Sequence, residues 1–377
     1  MMRQPPIRPE VRAFKPYTAG RSIESVRRTY GLERVIKLAS NENPLGASPL
    51  AQRAVRDHAD AIFRYPAAGN PDLCAAIAAH HGVDAARVVV GNGSDELIDL
   101  LLRIMADPAR HEVVAFAPCF GIYSTQTALC GITLRQTPLN KDFSFPWEHL
   151  LGNVDGRTAL VFVTTPDNPS GFCPPVEDLE VLARALPSTC LLVVDEAYMD
   201  FCGDEAAHSL LPRLDEFPNV AVLRTFSKSR GLAGLRLGYG VFPLEIADYL
   251  RRTRLPFSVN IAAEAAALAA LEDTVFYAET LRVVAEGRDR IRDGLEALGC
   301  TVYPSRANFL MFGLPRGKDT PEETGAVVQA LLERGIIIRP LDSYNLPNRM
   351  RVSVGTAEEN GCFLKALGDI LNTRGRA

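Results

Sequence analysis

Residues 191–198 read Leu191-Leu192-Val193-Val194-Asp195-Glu196-Ala197-Tyr198. Four apolar residues follow one another without a polar break and end on two carboxylates. A half-exposed strand would alternate apolar and polar residues, so an unbroken run of this kind fits a strand buried on both faces. Six more short runs lie on either side: Arg87–Val90, Glu112–Phe116, Thr133–Arg135, Leu160–Thr164, Val220–Thr225 and Leu237–Phe242. Helical patterns such as Glu96–Met105 and Glu177–Ala185 separate them. This alternation predicts an α/β fold with a mostly parallel seven-stranded sheet flanked by helices. Leu237–Phe242 follows Thr225 after only a short Gly-rich turn, which leaves no room for a crossover helix. That strand is therefore the candidate to run antiparallel.

The chain divides around this unit. Residues 1–37 are rich in proline and arginine and read as an extended arm leading into a smaller domain. Residues 38–257 form the large domain, and Pro256 breaks the chain at its end. Residues 258–377 read as a smaller α+β domain. It has one long helical stretch over 262–298, strands at Cys300–Tyr303, Asn308–Phe312, Ile336–Arg339 and Met350–Val354, and helices near 322–333 and 357–371.

Composition excludes several classes. Lys and Arg number 41 against 45 Asp and Glu, a net charge of −4, so there is no basic footprint for nucleic acid. No apolar run approaches the ~20 residues of a membrane helix. The start lacks the apolar core of a secretory signal. Eight cysteines without a CxxC pair read as reduced thiols in a cytoplasm. No HExxH or other metal-ligand spacing occurs among the six histidines, so no metal is expected. GxSxG and P-loop motifs are missing. Gly91-Asn92-Gly93-Ser94-Asp95-Glu96 begins like a dinucleotide fingerprint but has Glu96 where a third glycine belongs.

In open α/β sheets ligands sit beyond the carboxyl ends of the strands, so the residues there carry the chemistry. Gly93, Ser94 and Asp95 open a helix after Val90, where free N–H groups and the helix dipole favour a phosphate. On a purely structural reading they make a tight turn with Ser94 or Asp95 as N-cap. Phe120, in the loop after Phe116, is suited to stack on a planar ring. Asn168, fixed in the loop Thr165-Pro166-Asp167-Asn168-Pro169-Ser170-Gly171, can donate its amide. Asp195 ends an apolar strand, and burying its charge requires a positive partner. Of six lysines, only Lys228 lies between a buried strand and a Gly-rich turn. Burial and nearby cations lower a lysine's pKa and make it a nucleophile toward carbonyls. Ser227 and Arg236 add a hydroxyl and a guanidinium suited to phosphate. A phosphate cradle, a stacking ring, an amide donor, a buried carboxylate and an activated amine together fit one ligand, pyridoxal 5′-phosphate (PLP).

These segments resemble the class I/II aminotransferases of the aspartate-aminotransferase-like fold. The likeness rests on Leu38–Gly46 (Leu-Ala-Ser-Asn-Glu-Asn-Pro-Leu-Gly), Arg64-Tyr65-Pro66, Gly91–Glu96, Asp167–Gly171, Asp195–Tyr198, Phe226-Ser227-Lys228, Gly234–Tyr239 and Arg351–Thr356. The first and last blocks point to the branch that exchanges an amino group between L-histidinol phosphate and 2-oxoglutarate (or glutamate, in reverse) in histidine biosynthesis. Threonine-phosphate decarboxylases and aromatic aminotransferases share the motifs and differ in pocket residues. The resemblance implies that Lys228 bonds the cofactor aldehyde and carries the proton. It implies Asp195 on the ring nitrogen, Asn168 and Tyr198 on the ring oxygen, and Phe120 stacked on the ring. Gly93, Ser94, Asp95, Ser227 and Arg236 would hold the phosphate. Tyr65 would reach the phosphate of a neighbouring subunit, making a homodimer with shared active sites. Arg351 and Asn168 would bind the substrate, with Tyr17 closing over it. The chain departs from the usual pattern at Asp167, where asparagine is common, at Ser170, often threonine, and at Phe120, often tyrosine.

Overall fold

A computed structural model describes residues 7–12, 14 and 20–374. Seven strands form the central sheet: β1 Val88–Gly91, β2 Glu112–Ala117, β3 Thr133–Pro138, β4 Thr158–Thr164, β5 Leu191–Asp195, β6 Val220–Thr225 and β7 Gly238–Val241. Their order across the sheet is β1-β7-β6-β5-β4-β2-β3. All neighbours pair in parallel except β7, which is antiparallel to both β1 and β6. The architecture is the expected α/β one, including the reversed last strand.

Period-two alternation sorts the side chains onto two cores. Val161, Val163, Leu192, Val194, Val220 and Val222 pack into one apolar cluster. Leu160, Phe162, Leu191, Val193, Ala221 and Leu223 pack into the other, on the opposite face. Every residue of β4 and β5 is buried, which explains why their sequences carry no polar alternation. Because β1, β2, β4, β5 and β6 run the same way, Gly91, Ala117, Thr164, Asp195 and Thr225 end at one edge of the sheet.

Three expectations on the flanking segments are corrected. The stretch 262–298 is two helices, Ile261–Glu272 and Thr274–Ala297. Asp273 between them has non-helical backbone and accepts from the Phe276 N–H, capping the second helix. The segment expected as one strand over 336–339 splits. Ile336–Ile337 pairs in parallel with Ile36–Lys37, while β10 (Arg339–Leu341) joins an antiparallel sheet of order β10-β11-β9-β8. Here β8 is Thr301–Val302, β9 Phe309–Gly313 and β11 Leu346–Ser353. Lastly, residues 23–30 of the expected extended arm form a helix. Ser22 caps its start, left-handed Gly31 ends it, and Val26 packs against Leu332 and Ile337. Among the described residues, no helix is long and apolar enough to cross a membrane.

One contact fixes the turn after β1. A Cβ on Gly238, at the start of β7, would stand 2.3 Å from the Ser94 nitrogen and 2.7 Å from the Gly93 carbonyl carbon. Both neighbours are backbone and cannot swing aside. Gly238→Ala should therefore cost about 1–3 kcal/mol through overpacking. Denaturant unfolding measures this, and a variant as stable as the wild type would show that the turn yields freely.

Candidate active site

The strand ends enclose a cavity of about 260 Å³. Ten of the residues singled out in the sequence line it: Gly93, Ser94, Asp95, Phe120, Asn168, Asp195, Tyr198, Ser227, Lys228 and Arg236. They come from five separate loops, so the sheet alone brings them together. Ser40, Glu42, Thr164, Ala197, Thr225 and Ala233 complete the wall.

The helix after β1 starts at Ser94, and its N-cap is Gly93 (φ 78°) with no side-chain cap. The expectation that Ser94 or Asp95 caps it is thus replaced. Without a capping side chain, the first N–H groups stay free to face the cavity. Arg236 lies beside them, in left-handed backbone at φ 57°, which a long side chain rarely adopts. Its Nη2 donates to Asp95 Oδ2 at 3.2 Å, while Nη1 donates to the Ala233 carbonyl at 3.3 Å. Backbone N–H groups, the Ser227 hydroxyl and a guanidinium thus converge at one end of the cavity. That set suits a phosphate.

At the other end, Asp195 is 2% exposed. Burial pushes its pKa up to about 6, against the hydrogen bond from Tyr123 and the pull of Lys228. Lys228 moves the opposite way. Burial first, then the Arg351 guanidinium, lowers its amine to about 8. Its Nζ lies 5.5 Å from the centre of the Tyr198 ring. The Tyr198 hydroxyl accepts from Asn41 Nδ2 at 3.0 Å.

Arg351, on β11, is buried and reaches the site through Asn168. Its Nη1 donates to Asn168 Oδ1, and its Nη2 donates to the Ala39 carbonyl at 3.1 Å. With its carbonyl oxygen engaged, the Asn168 amide presents its NH₂ as donor. The Arg351 Nε is buried without a partner. A guanidinium so placed has donor capacity left for an anion.

One expected residue lies elsewhere. Tyr65 is 80% exposed, stacked on Phe257 with ring centres 4.7 Å apart, and is not part of this cavity's wall. Tyr17 falls outside the described residues. The departures at 167 and 170 prove to be partners, since Asp167 Oδ2 accepts from the Ser170 hydroxyl at 2.6 Å and its N–H at 3.1 Å. Tyr123 was not singled out in the sequence as a site residue. It is fully buried and bonds Asp195 and Thr164, both at 2.8 Å. The only signal was its place three residues after Phe120, one helical turn away, and which face of that helix meets β5 is set by packing.

The family model described as "Aminotransferase class I and II" matches residues 33–367. A histidinol-phosphate aminotransferase of Nitratidesulfovibrio vulgaris is 62% identical over 371 residues, covering 98% of each chain. One from Oleidesulfovibrio alaskensis is 60% identical, covering 97% of this chain and 95% of the relative. The solved histidinol-phosphate aminotransferase of Sinorhizobium meliloti, in complex with PLP, superposes with a TM-score of 0.88 at 29% identity, covering 99% of both chains.

The lowered amine has a direct consequence. Lys228 should acylate with a midpoint near pH 8 rather than the 10.5 of an ordinary lysine. Competitive labelling read by peptide mass spectrometry over a pH series checks it, and a midpoint as high as that of the surface lysines would refute the shift.

Proposed function

The chain belongs to the aminotransferase class I and II family, and we propose on that footing that it exchanges an amino group between L-histidinol phosphate and 2-oxoglutarate. Imidazole acetol phosphate and glutamate stand on the other side, and PLP is the cofactor. One observation carries the reading. A near full-length match to relatives named for this activity falls on a cavity with an amine, a buried carboxylate and an anion cradle in one wall.

The donor set fits the cofactor. Gly93, Ser94, Asp95, Ser227 and Arg236 would hold its phosphate, Phe120 would cover its ring, and Asn168 and Tyr198 would bond its ring oxygen. When bound, PLP supplies an aldehyde carbon and an electron-withdrawing ring for the substrate amine. Asp195 keeps a proton on the ring nitrogen by opposite charge in a desolvated setting. The Lys228 Nζ, with a pKa of about 8, takes the proton from the amine-bearing carbon of the substrate and returns it. Arg351 grips the α-carboxylate of glutamate in one half-reaction and the phosphate ester of histidinol phosphate in the other. A fork of N–H donors matches both anions.

We place Tyr65 in the neighbouring site of a homodimer. Ile62, Phe63, Tyr65 and Leu255 are 70–80% exposed in round terms, at 73%, 76%, 80% and 71%, and Phe257 stacks among them. So many large apolar side chains in one region support a second copy as their cover. The free thiols support a reducing compartment, the cytoplasm.

Two experiments test this reading. Histidinol phosphate should convert the lysine-bound cofactor band in a single turnover, and aromatic amino acids should do so far more slowly. Arg351→Lys should raise KM for both histidinol phosphate and 2-oxoglutarate about tenfold or more, with the resting spectrum unchanged. Damage to one substrate alone would remove the shared anion site. Separately, mixing Tyr65→Phe with Lys228→Ala subunits should restore activity beyond either parent, because a heterodimer then carries one intact site. No gain from proven heterodimers would place Tyr65 within its own chain's chemistry.

A further inference from the structure

Tyr123 bonds Asp195 and Thr164, both in the cavity wall, without lining the cavity itself. It occupies the first turn of the helix Gly121–Cys130 and is fully buried. Its ring stacks on Phe162, with centres 4.5 Å apart and planes 14° from parallel, and meets Phe120 edge-on at 5.8 Å. Its hydroxyl is 2.8 Å from Asp195 Oδ2 and 2.8 Å from Thr164 Oγ1. A phenol has one proton to donate. An ionised carboxylate only accepts, so that proton goes to Asp195, and the Thr164 hydroxyl must donate to Tyr123. The two hydroxyls therefore form a chain of fixed polarity, Thr164 to Tyr123 to Asp195, ending on a charge.

Other groups that act on Asp195 are few. The Ala197 N–H reaches Oδ1 at 3.3 Å. Asp95 opposes its charge from the helix after β1, and Lys228 favours it from the loop after β6. Cys119, near Tyr123, is held neutral by burial, with its pKa at about 12. Tyr123 itself is driven well above its ordinary range by burial and keeps its proton at any working pH.

We propose that Tyr123 is a positioning residue: with Thr164 donating to it, it occupies Asp195 Oδ2, holds the carboxylate in one rotamer and keeps it ionised, leaving Oδ1 for the ring nitrogen of the cofactor. The same ring braces Phe120 edge-on, so one side chain sets both the charge and the stacking face. This inference rests on the reading of Asp195 as the partner of that nitrogen.

Tyr123→Phe removes one oxygen and keeps the ring packing on Phe162. Without the donor, the charged form of Asp195 loses support and its pKa rises. The PLP dissociation constant, measured by equilibrium dialysis, should rise about tenfold near neutral pH and return toward wild type in alkali. The acid limb of kcat/KM should move up by about one pH unit, as expected for one hydrogen bond to a charged group. A residue with a merely structural role would weaken binding equally at every pH. Thr164→Val should shift both readouts in the same direction by less, and it decides the matter if Tyr123→Phe does not fold. A pH-independent loss, or no change, overturns the proposal. Asp195→Asn separates the two levels. If it leaves PLP affinity and turnover intact, the reading of Asp195 itself fails. If it is severe while the Tyr123→Phe profiles do not move, only the role of Tyr123 falls.

Discussion

Arg224, at the end of β6, is a guanidinium whose side chain is 3% exposed, and the site is hung on it. Its Nε donates to Glu196 at 2.8 Å, its Nη1 to Asp200 at 3.2 Å and its Nη2 to Glu205 at 2.7 Å. The Ser209 hydroxyl completes Glu196 at 2.9 Å. Burial alone would lower the guanidinium's pKa, but three carboxylates more than reverse that, so it stays charged. Breaking such a pair leaves a bare charge in the core and costs about 3–5 kcal/mol. What the cluster holds is positional. Glu196 follows Asp195 directly, and the Ser229 hydroxyl, next to Lys228, donates to Asp200. The carboxylate and the amine of the site are thus neighbours in sequence of residues locked to one buried ion.

With their positions fixed, burial tunes both groups. The same withdrawal from water that raises Asp195 lowers Lys228, and each is thereby brought nearer to neutral pH. Their attraction limits both shifts. Arg351 adds repulsion on Lys228 and is itself tethered through Asn168, so the guanidinium and the amine sense each other. An anion on Arg351 would reduce that repulsion and raise the amine's proton affinity, a coupling that follows from Coulomb's law between buried groups.

The sequence was most legible where one physical rule governs. Strands buried on both faces read as unbroken apolar runs, and the segments after those runs named nine residues of the cavity wall, with Tyr198 added by the family resemblance. Legibility failed where an outcome depends on packing between distant segments. Asp273 looked like one polar residue in a helical stretch, because its partners, the Phe276 N–H and the Ser48 hydroxyl, appear only once the chain is folded. Ile36 and Ile336 are 300 positions apart, and nothing local announces their pairing. Tyr123 and Arg224 escaped for a related reason. A buried tyrosine reads as core, and a single arginine in a strand reads as surface, until the carboxylates they meet are known.

Asp167 is the sharpest case of chemistry hidden from the sequence. An acid where the resembling family often has an amide looks like a liability beside Asn168. Its burial pushes the carboxyl up to about 7, even though Ser170 bonds pull it down. Near neutral pH a proton therefore resides on it much of the time. A protonated carboxyl offers one donor and one acceptor on a planar fork, the same pattern as an asparagine amide. Serine at 170 then supplies both N–H and hydroxyl to the accepting oxygen, and closes the loop that presents Asn168 to Arg351. The two departures form one unit in physical terms: burial holds the acid near neutrality, while the serine bonds its accepting oxygen and limits that rise.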